Sequence, residues 1–572
     1  MAITIWPCQV PAGVKVHPDG EHIIYSVGCT LVIEKISTKE QELLSGHTNC
    51  ITCITLSKSG RFLASGQLSP SGFKADVIVW DFQNRSLYCR LTLHRNKVEA
   101  LAFSPNDKYI VSLGGEDDGT VVVWSLTNKA AICGSPAAVL SAGLTHTVCY
   151  ANTSDDCFIT GGSFFYCGTT TGDIIAVNMA SKKFQAHGPK ELFSLGVTAV
   201  TLMQNKDLLI GTGDGTIAVV KGKDCNFKRT SKKAKVEGSV TALAVRGVGH
   251  QFFVGTAVSQ LYKFNYADFS YEMLFSSHSA PVNDLCFPRG FSDVLITCSK
   301  EEIRLWNITK GEELLRIKVA NMVCNAVDIT PDGKTIVSGW DDGRIRCFYP
   351  ESGKPKYVVE NAGGGAVTAL AVFNNNQKVI GGTATGNLTI WELPTIKMTK
   401  GPTYLTKFES LKQHRAQITH IHIRKNDSEC ITSSRDGTCI TWDLLTLVRI
   451  HMVRVNTLFM NVCFHPDEFQ FITSGTDRRI TFWEKYDASK IRELEGSKSG
   501  SVNSMDILEN GQHFVSAGDD KLVKVWLYDE GNCTHIGVGH SAQIVGVKVA
   551  PNNRFIISIS SDGAILKWKF PC

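Results

Sequence analysis

The sequence lacks the long apolar run that a membrane span requires. No stretch of roughly 18 or more apolar residues occurs in the chain, so no transmembrane helix and no membrane partner are predicted. The opening residues, MAITIWPCQV, contain no basic segment followed by an apolar one, and we therefore expect no secretory signal.

A strong net charge is also missing. The 59 Lys and Arg residues nearly balance the 54 Asp and Glu residues, which leaves a net charge of +5 over 572 residues. This balance argues against global disorder and against nucleic acid as the main partner. The 19 cysteines are scattered singly, mostly within predicted strands, and are typical of small buried side chains in a reducing compartment rather than of a disulfide framework.

One short unit recurs instead. Gly518–Trp526 reads GDDKLVKVW, and related units occur at Gly115–Trp124, Gly339–Phe348, Ser434–Trp442 and Ser560–Trp568. The Asp and Gly residues favour a tight turn, because glycine accepts positive φ and aspartate bonds its own backbone. The alternating Val/Ile run predicts a half-buried strand. A single copy cannot bury both of its faces, so stacked copies are expected.

The spacing of the copies indicates the architecture. Most ends are 41 to 44 residues apart, and eight of the ten tryptophans lie at this phase. That period is typical of a propeller blade of four antiparallel strands. The ends are Ile36, Trp80, Trp124, Val177, Val220, Phe264, Trp306, Phe348, Trp391, Trp442, Trp483, Trp526 and Trp568. With the Trp-Asp pairs at Trp80-Asp81 and Trp442-Asp443, the chain resembles the WD-repeat family over nearly its whole length.

Two intervals are irregular. The 51 residues from Trp391 to Trp442 predict an inserted loop at Pro394–Phe408. In the 53 residues from Trp124 to Val177, the first two strands of one copy run directly into the second strand of another. We therefore predict a chain break or a deletion between Gly162 and Ser163, with roughly 30 or more residues missing from a blade.

The count then predicts an all-β fold of two tandem seven-bladed WD-repeat β-propellers. The thirteen visible copies and one truncated copy give residues 1–273 as the N-terminal propeller, with its fourth blade incomplete, and residues 274–572 as the C-terminal one. The last copy ends at Phe570, which leaves no room for a fourth strand. We expect Thr4–Trp6, or a nearby N-terminal strand, to cover that open edge.

Residue patterns for chemistry are weak. Gly333-Lys334-Thr335 resembles the end of a P-loop, but Asp328 stands where the required glycine should be and no helix follows. Gly211–Gly215 and Gly363–Gly365 precede strands and are interpreted as turns. Cys50, Cys53 and the nearby His47 have a spacing that a zinc site could use. Residues three apart on a strand point to opposite faces, however, so the two cysteines are not expected to bind one metal ion. No catalytic, cofactor-binding or metal-binding residue is predicted, and no cofactor.

The histidines that open several copies, His47 and His540 among them, resemble the structural histidine of the WD-repeat family. The resemblance implies a hydrogen bond to a turn aspartate, which in the last copy would be Asp562. The densest basic run, Lys228–Lys235, is interpreted as a solvated loop. The alternative is a contact with an acidic protein surface, held in a salt-dependent way.

Several runs resemble more closely the tandem WD-repeat microtubule inner proteins of cilia. The eight residues AICGSPAA at Ala131–Ala138 are the most specific of them, since the general pattern of a propeller blade does not require these residue types. The others are Gly72–Asp81, Phe103–Gly115, Tyr166–Asp173, Glu493–Gly496 and Ser561–Trp568. The truncated blade and the short N-terminus depart from that family. The resemblance implies a non-enzymatic scaffold in the cytoplasm and the cytoskeleton of the axoneme. It implies binding to α/β-tubulin on the luminal face of the B-tubule and to other microtubule inner proteins.

Two other classes of function stay open on the sequence. A soluble adaptor, such as a ubiquitin-ligase substrate receptor or an actin-regulating tandem propeller, would present one peptide-binding patch on a rim. An enzyme built on a propeller would need an axial pocket with clustered ionisable side chains of shifted pKa.

Overall fold

The fold is all-β throughout the described part of a computed structural model. The structure describes residues 2–4, 13–104, 106–115, 118, 120–136, 164–168, 172, 174–178, 183–189, 191–203, 205, 207–221, 227–359, 364–393, 403–404 and 406–571. Every regular element among these residues is a β-strand, and none of them forms a helix that could cross a membrane. The predicted all-β tandem WD-repeat architecture is confirmed.

The chain divides into two compact units. The N-terminal unit comprises Trp6–Ser279, and the C-terminal unit comprises Ala280–Cys572 together with Met1–Ile5. The exact propeller ranges 1–273 and 274–572 remain predictions. We number the sheets of each unit in chain order as blades N1 to N6 and C1 to C7, counting only described residues.

The N-terminal unit contains five four-stranded sheets and one three-stranded sheet among its described residues. Its strands are Val14–Val16, His22–Val27, Thr30–Lys35 and Gln41–Ser45 (N1); Ile51–Leu56, Phe62–Gln67, Lys74–Asp81 and Ser86–Arg95 (N2); Val98–Phe103, Tyr109–Gly114, Thr120–Ser125 and Ala130–Pro136 (N3); Phe164–Gly168, Ile174–Asn178 and Lys183–Gly188 (N4); Val197–Leu202, Asp207–Thr212, Thr216–Lys221 and Lys228–Lys235 (N5); and Val240–Arg246, Gln251–Thr256, Gln260–Asn265 and Tyr271–Ser276 (N6).

The C-terminal unit contains seven four-stranded sheets in its described part, and Val294–Asn307 supplies two of the strands of the first sheet. Its strands are Val282–Cys286, Val294–Asn307 and the start of Glu312–Ile329 (C1); the end of Glu312–Ile329, Ile336–Trp340, Ile345–Phe348 and Pro355–Val359 (C2); Val367–Val372, Lys378–Thr383, Asn387–Glu392 and Thr406–Lys412 (C3); Ile418–Ile423, Glu429–Ser434, Thr438–Asp443 and Arg449–Arg454 (C4); Phe459–Phe464, Gln470–Gly475, Arg479–Glu484 and Lys490–Glu495 (C5); Val502–Ile507, His513–Gly518, Leu522–Leu527 and Cys533–Val538 (C6); and Ile544–Val549, Phe555–Ser560, Ile565–Lys569 and Ala2–Thr4 (C7).

Two long strands bend sharply, and each occupies two strand positions, in one blade or in two neighbouring blades. Val294–Asn307 turns back at Glu301, whose φ is 64°, and the indole of Trp306 donates to the Thr297 hydroxyl at 2.7 Å across the bend. Glu312–Ile329 bends at Asn321, with φ 60°, so its first part completes blade C1 and its second part opens blade C2.

The last sheet is closed by the first strand of the chain. Ala2–Thr4 pairs antiparallel with Ile565–Lys569, with Ala2 opposite Trp568 and Thr4 opposite Leu566. This confirms the prediction that an N-terminal strand near Thr4–Trp6 covers the open edge. The first strand of blade C7 also contacts the first strand of blade C1, which closes the ring of this unit.

Neighbouring blades are joined by a repeated hydrogen bond at a β-bulge. The first strand of most blades carries one extra residue near its start, where the register against the second strand shifts. The side chain of that residue donates to a backbone carbonyl at the start of the next blade. The bonds are Thr52 to Val98 (2.5 Å), Thr198 to Val240 (2.5 Å), Asn283 to Cys324 (2.8 Å), Asn325 to Val367 (3.1 Å), Thr368 to Ile418 (2.6 Å), Thr419 to Phe459 (2.9 Å) and Asn503 to Ile544 (2.9 Å).

The two irregular intervals have different outcomes. The predicted break between Gly162 and Ser163 lies outside the described residues. So do the first two strands that the sequence predicts for the truncated copy, at Thr147–Asn152 and Cys157–Thr160. The predicted loop at Pro394–Phe408 is wrong for its second part. Thr403–Tyr404 is a short strand that pairs in parallel with Tyr357 and Val358 of blade C2, and Thr406–Lys412 is the outer strand of blade C3.

We predict that Thr419→Val weakens the C-terminal unit, because it removes the hydroxyl that donates to the Phe459 carbonyl and also contacts the Ser433 hydroxyl, each at 2.9 Å. The expected loss is about 1 kcal/mol of unfolding free energy, measured by urea denaturation followed by tryptophan fluorescence. Thr419→Ser is the control, since it keeps the hydroxyl. Equal stability of the valine and serine variants would contradict the role of the bulge bond.

Candidate functional site

Buried tryptophans at the ends of the third strands bind hydroxyl groups within their own blades. In each case the indole N–H donates to a Ser or Thr on the second strand, so both buried polar groups are paired. The pairs include Trp80 with Ser65 (2.9 Å), Trp124 with Ser112 (2.7 Å), Trp442 with Thr432 (2.9 Å), Trp483 with Thr473 (2.8 Å), Trp526 with Ser516 (2.8 Å) and Trp568 with Ser558 (2.7 Å).

Blades N2, N3, C4 and C7 add a buried histidine to this network. The ring Nε2 lies 2.6 Å from the hydroxyl in the pairs His47–Ser65, His94–Ser112 and His540–Ser558, and 2.8 Å away in His414–Thr432. His94 also bonds the turn carboxylate of Asp118 at 2.5 Å, which in turn accepts from Thr120 at 2.7 Å. These histidines are held by packing and hydrogen bonds inside a blade.

The hydrogen bond from His540 to Asp562, which the sequence led us to expect, is wrong. The Asp562 carboxylate accepts from the hydroxyls of Ser541 and Ser560 and from the Ala564 N–H instead. His540 Nδ1 has no hydrogen-bond partner among the described residues. Burial lowers the pKa of His540 to about 4, although the charge of Asp562 opposes the shift. The Asp562 carboxylate is thus satisfied by Ser560 of its own turn and by Ser541, which follows His540 in the chain.

The glycine-rich and cysteine candidates lie in ordinary elements of the blades. Gly333, with φ 69°, is in the turn before Ile336–Trp340, and the Thr335 N–H donates to the Thr330 hydroxyl at 3.0 Å. Cys53 is buried, which raises its pKa to about 12, and its Sγ lies 3.6 Å from the Val98 carbonyl. His47 is already occupied by Ser65 and Gln67, so these side chains are not brought together as metal ligands.

The interpretation of Lys228–Lys235 as a loop is wrong. The segment is the outer strand of blade N5, and its alternate side chains are exposed. Lys232 donates to the Tyr266 carbonyl at 2.6 Å, and Arg229 covers the Phe193 ring at 4.0 Å. Positive charge on an outer strand also discourages pairing with another chain. Because of their contacts with Phe193 and Tyr266, Arg229 and Lys232 interact with groups of their own unit.

A second basic surface lies on one rim of the C-terminal unit. We call the exposed side chains Arg415, Arg435, Arg454, Arg478 and Lys498, which flank blades C4 and C5, the rim cluster. Arg435 and Arg454 line a cavity of about 460 Å³ together with Leu458 and Thr476. Neither of these two guanidinium groups has an ion-pair partner in the part of the chain that the structure describes.

Two acidic groups of the same rim, Asp436 and Asp519, are held by hydrogen bonds within it. Asp436 accepts the Arg415 N–H at 2.6 Å and the Thr438 hydroxyl at 2.5 Å, and Asp519 accepts the Ser501 N–H at 2.9 Å. Burial opposes ionisation of Asp436, but hydrogen bonds from His414 and Thr438 outweigh it and lower the pKa. The carboxylates are thus satisfied within the rim, whereas the cations of the rim cluster point to solvent.

A His–Asp–His group in blade N1 was not found by sequence reasoning. The Asp19 Oδ2 atom lies 2.8 Å from His17 Nδ1 and 2.7 Å from His22 Nδ1. The available signal was two histidines that flank a Pro-Asp-Gly turn, a spacing that becomes meaningful only when the hairpin brings them together.

The WD domain, G-beta repeat family matches residues 38–81, 85–125, 405–443, 488–526 and 531–569. Cilia- and flagella-associated protein 52 of Bos taurus is 46% identical, and the match covers 98% of this chain and 95% of that protein. The Homo sapiens protein of the same name is 45% identical over 98% of this chain and 96% of its own length. The Chlamydomonas reinhardtii protein of that name is 37% identical, and the match covers 98% of this chain and 95% of its own length.

The relatives are longer than this chain in the matched region. The Bos taurus match spans 603 aligned positions, whereas the chain has 572 residues, so at least 31 positions of the relative have no counterpart here. This number is similar in size to the roughly 30 or more residues predicted to be missing between Trp124 and Val177.

We predict that the N-terminal unit loses stability as the pH falls from about 6.5 to about 4. Burial lowers the pKa of His47 from 6.5 to about 4. The unfolded chain therefore gains a proton in this window that the folded chain excludes. The full effect is up to about 3 kcal/mol for a shift of this size. Denaturation midpoints over this range should fall less steeply in His47→Gln than in the wild type. The exposed His535→Gln is the control, and equal slopes in all three proteins would refute the prediction.

Proposed function

The chain belongs to the family of cilia- and flagella-associated protein 52, and from this premise we propose that it is a non-enzymatic structural protein of the ciliary and flagellar axoneme. The near full-length match to relatives of that name, in mammals and in Chlamydomonas reinhardtii, is the observation that supports this assignment most directly. The histidines of the tryptophan networks are committed to blade packing, which favours a binding role over a catalytic one.

We further propose that the protein is a microtubule inner protein. In this role it binds α/β-tubulin on the luminal surface of the doublet B-tubule, together with neighbouring inner proteins, and stabilises the doublet. Rigid propeller units fit such a role, because a preorganised surface loses little conformational entropy on assembly. Weak contacts repeated along a polymer lattice would add through avidity.

The rim cluster is the surface that we assign to the acidic partner. Its cations face solvent, whereas the nearby carboxylates are bonded inside the rim. The guanidinium groups of Arg435 and Arg454 can each bind a carboxylate with two parallel hydrogen bonds. The outer strand Lys228–Lys235 is less suitable, because Arg229 and Lys232 already contact groups of their own unit.

A soluble WD-repeat adaptor is the alternative function. Such a protein would use the cavity beside Arg435 and Arg454 for one peptide and would be found in cells without cilia.

We predict that the protein remains with axonemal doublets after high-salt washing and is absent from cells that lack cilia. Fractionation of isolated axonemes followed by immunoblotting measures both. Release into the soluble membrane-plus-matrix fraction would count against the luminal assignment and favour the adaptor.

Reversal of charge in the rim cluster tests the assigned surface. We expect the Arg435→Glu, Arg454→Glu double variant to reduce co-assembly with doublets at least tenfold, because attraction to an acidic surface becomes repulsion. The Lys228→Glu, Lys233→Glu variant is the matched control with the same charge change, and circular dichroism checks folding of both. If only the control variant loses binding, the outer strand of blade N5 is the contact.

A further inference from the structure

The His–Asp–His group of blade N1 is built on a rigid hairpin. His17 and His22 flank the turn between Val14–Val16 and His22–Val27, and the His17 N–H donates to the His22 carbonyl at 2.9 Å. The Asp19 Oδ1 atom accepts the backbone N–H of Glu21 at 2.8 Å. The other oxygen is left facing both imidazole rings, and the donor atoms of all three residues lie within 4.8 Å of one another.

The hydrogen bonding of His17 defines which ring nitrogen carries a proton. Its Nε2 lies 2.9 Å from the Gly60 carbonyl oxygen, which can only accept, so Nε2 carries the hydrogen. In a neutral ring Nδ1 carries a lone pair, which accepts the Asp19 backbone N–H at 3.3 Å and lies 2.8 Å from the Asp19 Oδ2 atom. Two acceptor atoms at 2.8 Å are stabilised by a positive charge, either a proton or a metal ion, between or beside them.

This arrangement matches the way in which proteins orient metal-binding histidines. Such a ring usually donates its remote N–H to a carbonyl or a carboxylate, which fixes the ring and its tautomer. The Gly60 carbonyl provides that acceptor, and the Phe82 ring stacks on His17 with a centroid separation of 3.8 Å and an angle of 8°. His17 is therefore held in the orientation that a ligand through Nδ1 requires.

We propose that His17, Asp19 and His22 bind a divalent transition-metal ion, with Zn²⁺ as the expected occupant. Two imidazole nitrogens and one carboxylate oxygen are a ligand set that zinc uses with water or another group in the fourth position. The side chains are 11%, 34% and 21% exposed, so an ion can reach them. Asp19 is the most exposed and can adjust its distance to the ion.

The chain contains a matched site that lacks one ligand. In blade C5, His465-Pro466-Asp467 repeats the His-Pro-Asp turn, with His465 Nε2 at 3.2 Å from the Gly511 carbonyl and Nδ1 at 2.7 Å from Asp467. The position that corresponds to His22 is occupied by Gln470. The pair alone recurs as a turn element, and the second histidine is the feature that distinguishes blade N1.

The test uses the full chain, with accessible cysteines alkylated, and Zn²⁺ alone as the probe in competition with a chromophoric chelator. We expect His22→Gln, which reproduces the blade C5 turn, to lose one equivalent of bound zinc or to bind it at least tenfold more weakly. Asp19→Asn should do the same. Mg²⁺, which prefers oxygen ligands, should not compete.

A gain-of-site variant guards against a trivial loss of folding. Adding Gln470→His to the His22→Gln protein should restore one equivalent of bound zinc, now in blade C5. Zinc should also raise the melting temperature of the wild type and not that of His22→Gln. Unchanged zinc stoichiometry and affinity in His22→Gln would overturn the proposal, and so would a Gln470→His variant that gains no zinc.

Discussion

The hydrogen bond from each bulge side chain to the next blade is the interaction on which the rings depend. A blade pairs its strands internally, and a Thr or Asn such as Thr419 or Asn503 recurs as a polar link from its first strand to the neighbouring sheet. The apolar faces provide the larger energy, but they are not directional. The bulge bond fixes the position of one first strand against the next, and thereby the spacing of everything that the rims present.

The sequence predicts the features that this repetition imposes. The regular spacing of the tryptophans predicted the positions of the blades. The missing fourth strand after Phe570 predicted the pairing of an N-terminal strand, and Ala2–Thr4 provides it. These predictions succeed because the repeat has a regular length, so that both the blades and a missing strand can be recognised in the sequence. The cilia-related family was likewise indicated by residues, such as Ala131–Ala138, that no blade rule requires.

Other features depend on contacts that a linear pattern does not contain. Asp562 bonds Ser541 and Ser560 instead of His540, and this choice of partner depends on side-chain positions in the folded blade. Lys228–Lys235 has little apolar content, yet it is a strand because an outer edge needs backbone pairing on one side only. The group at His17, Asp19 and His22 required the hairpin register, and the inward turn of Asp436 that leaves the rim basic required the side-chain positions.

The strand Ala2–Thr4 gives the C-terminal unit an unusual order of assembly. This strand is synthesised before the whole N-terminal unit, and its partner Ile565–Lys569 is synthesised after that unit. The N-terminal unit has all of its own residues between these two points and can fold while synthesis continues. The C-terminal ring cannot close until Ile565–Lys569 has been made and can pair with this strand. Until then Ala2–Thr4 lacks its partner in the last blade, and an unpaired strand edge is a place at which another chain can pair.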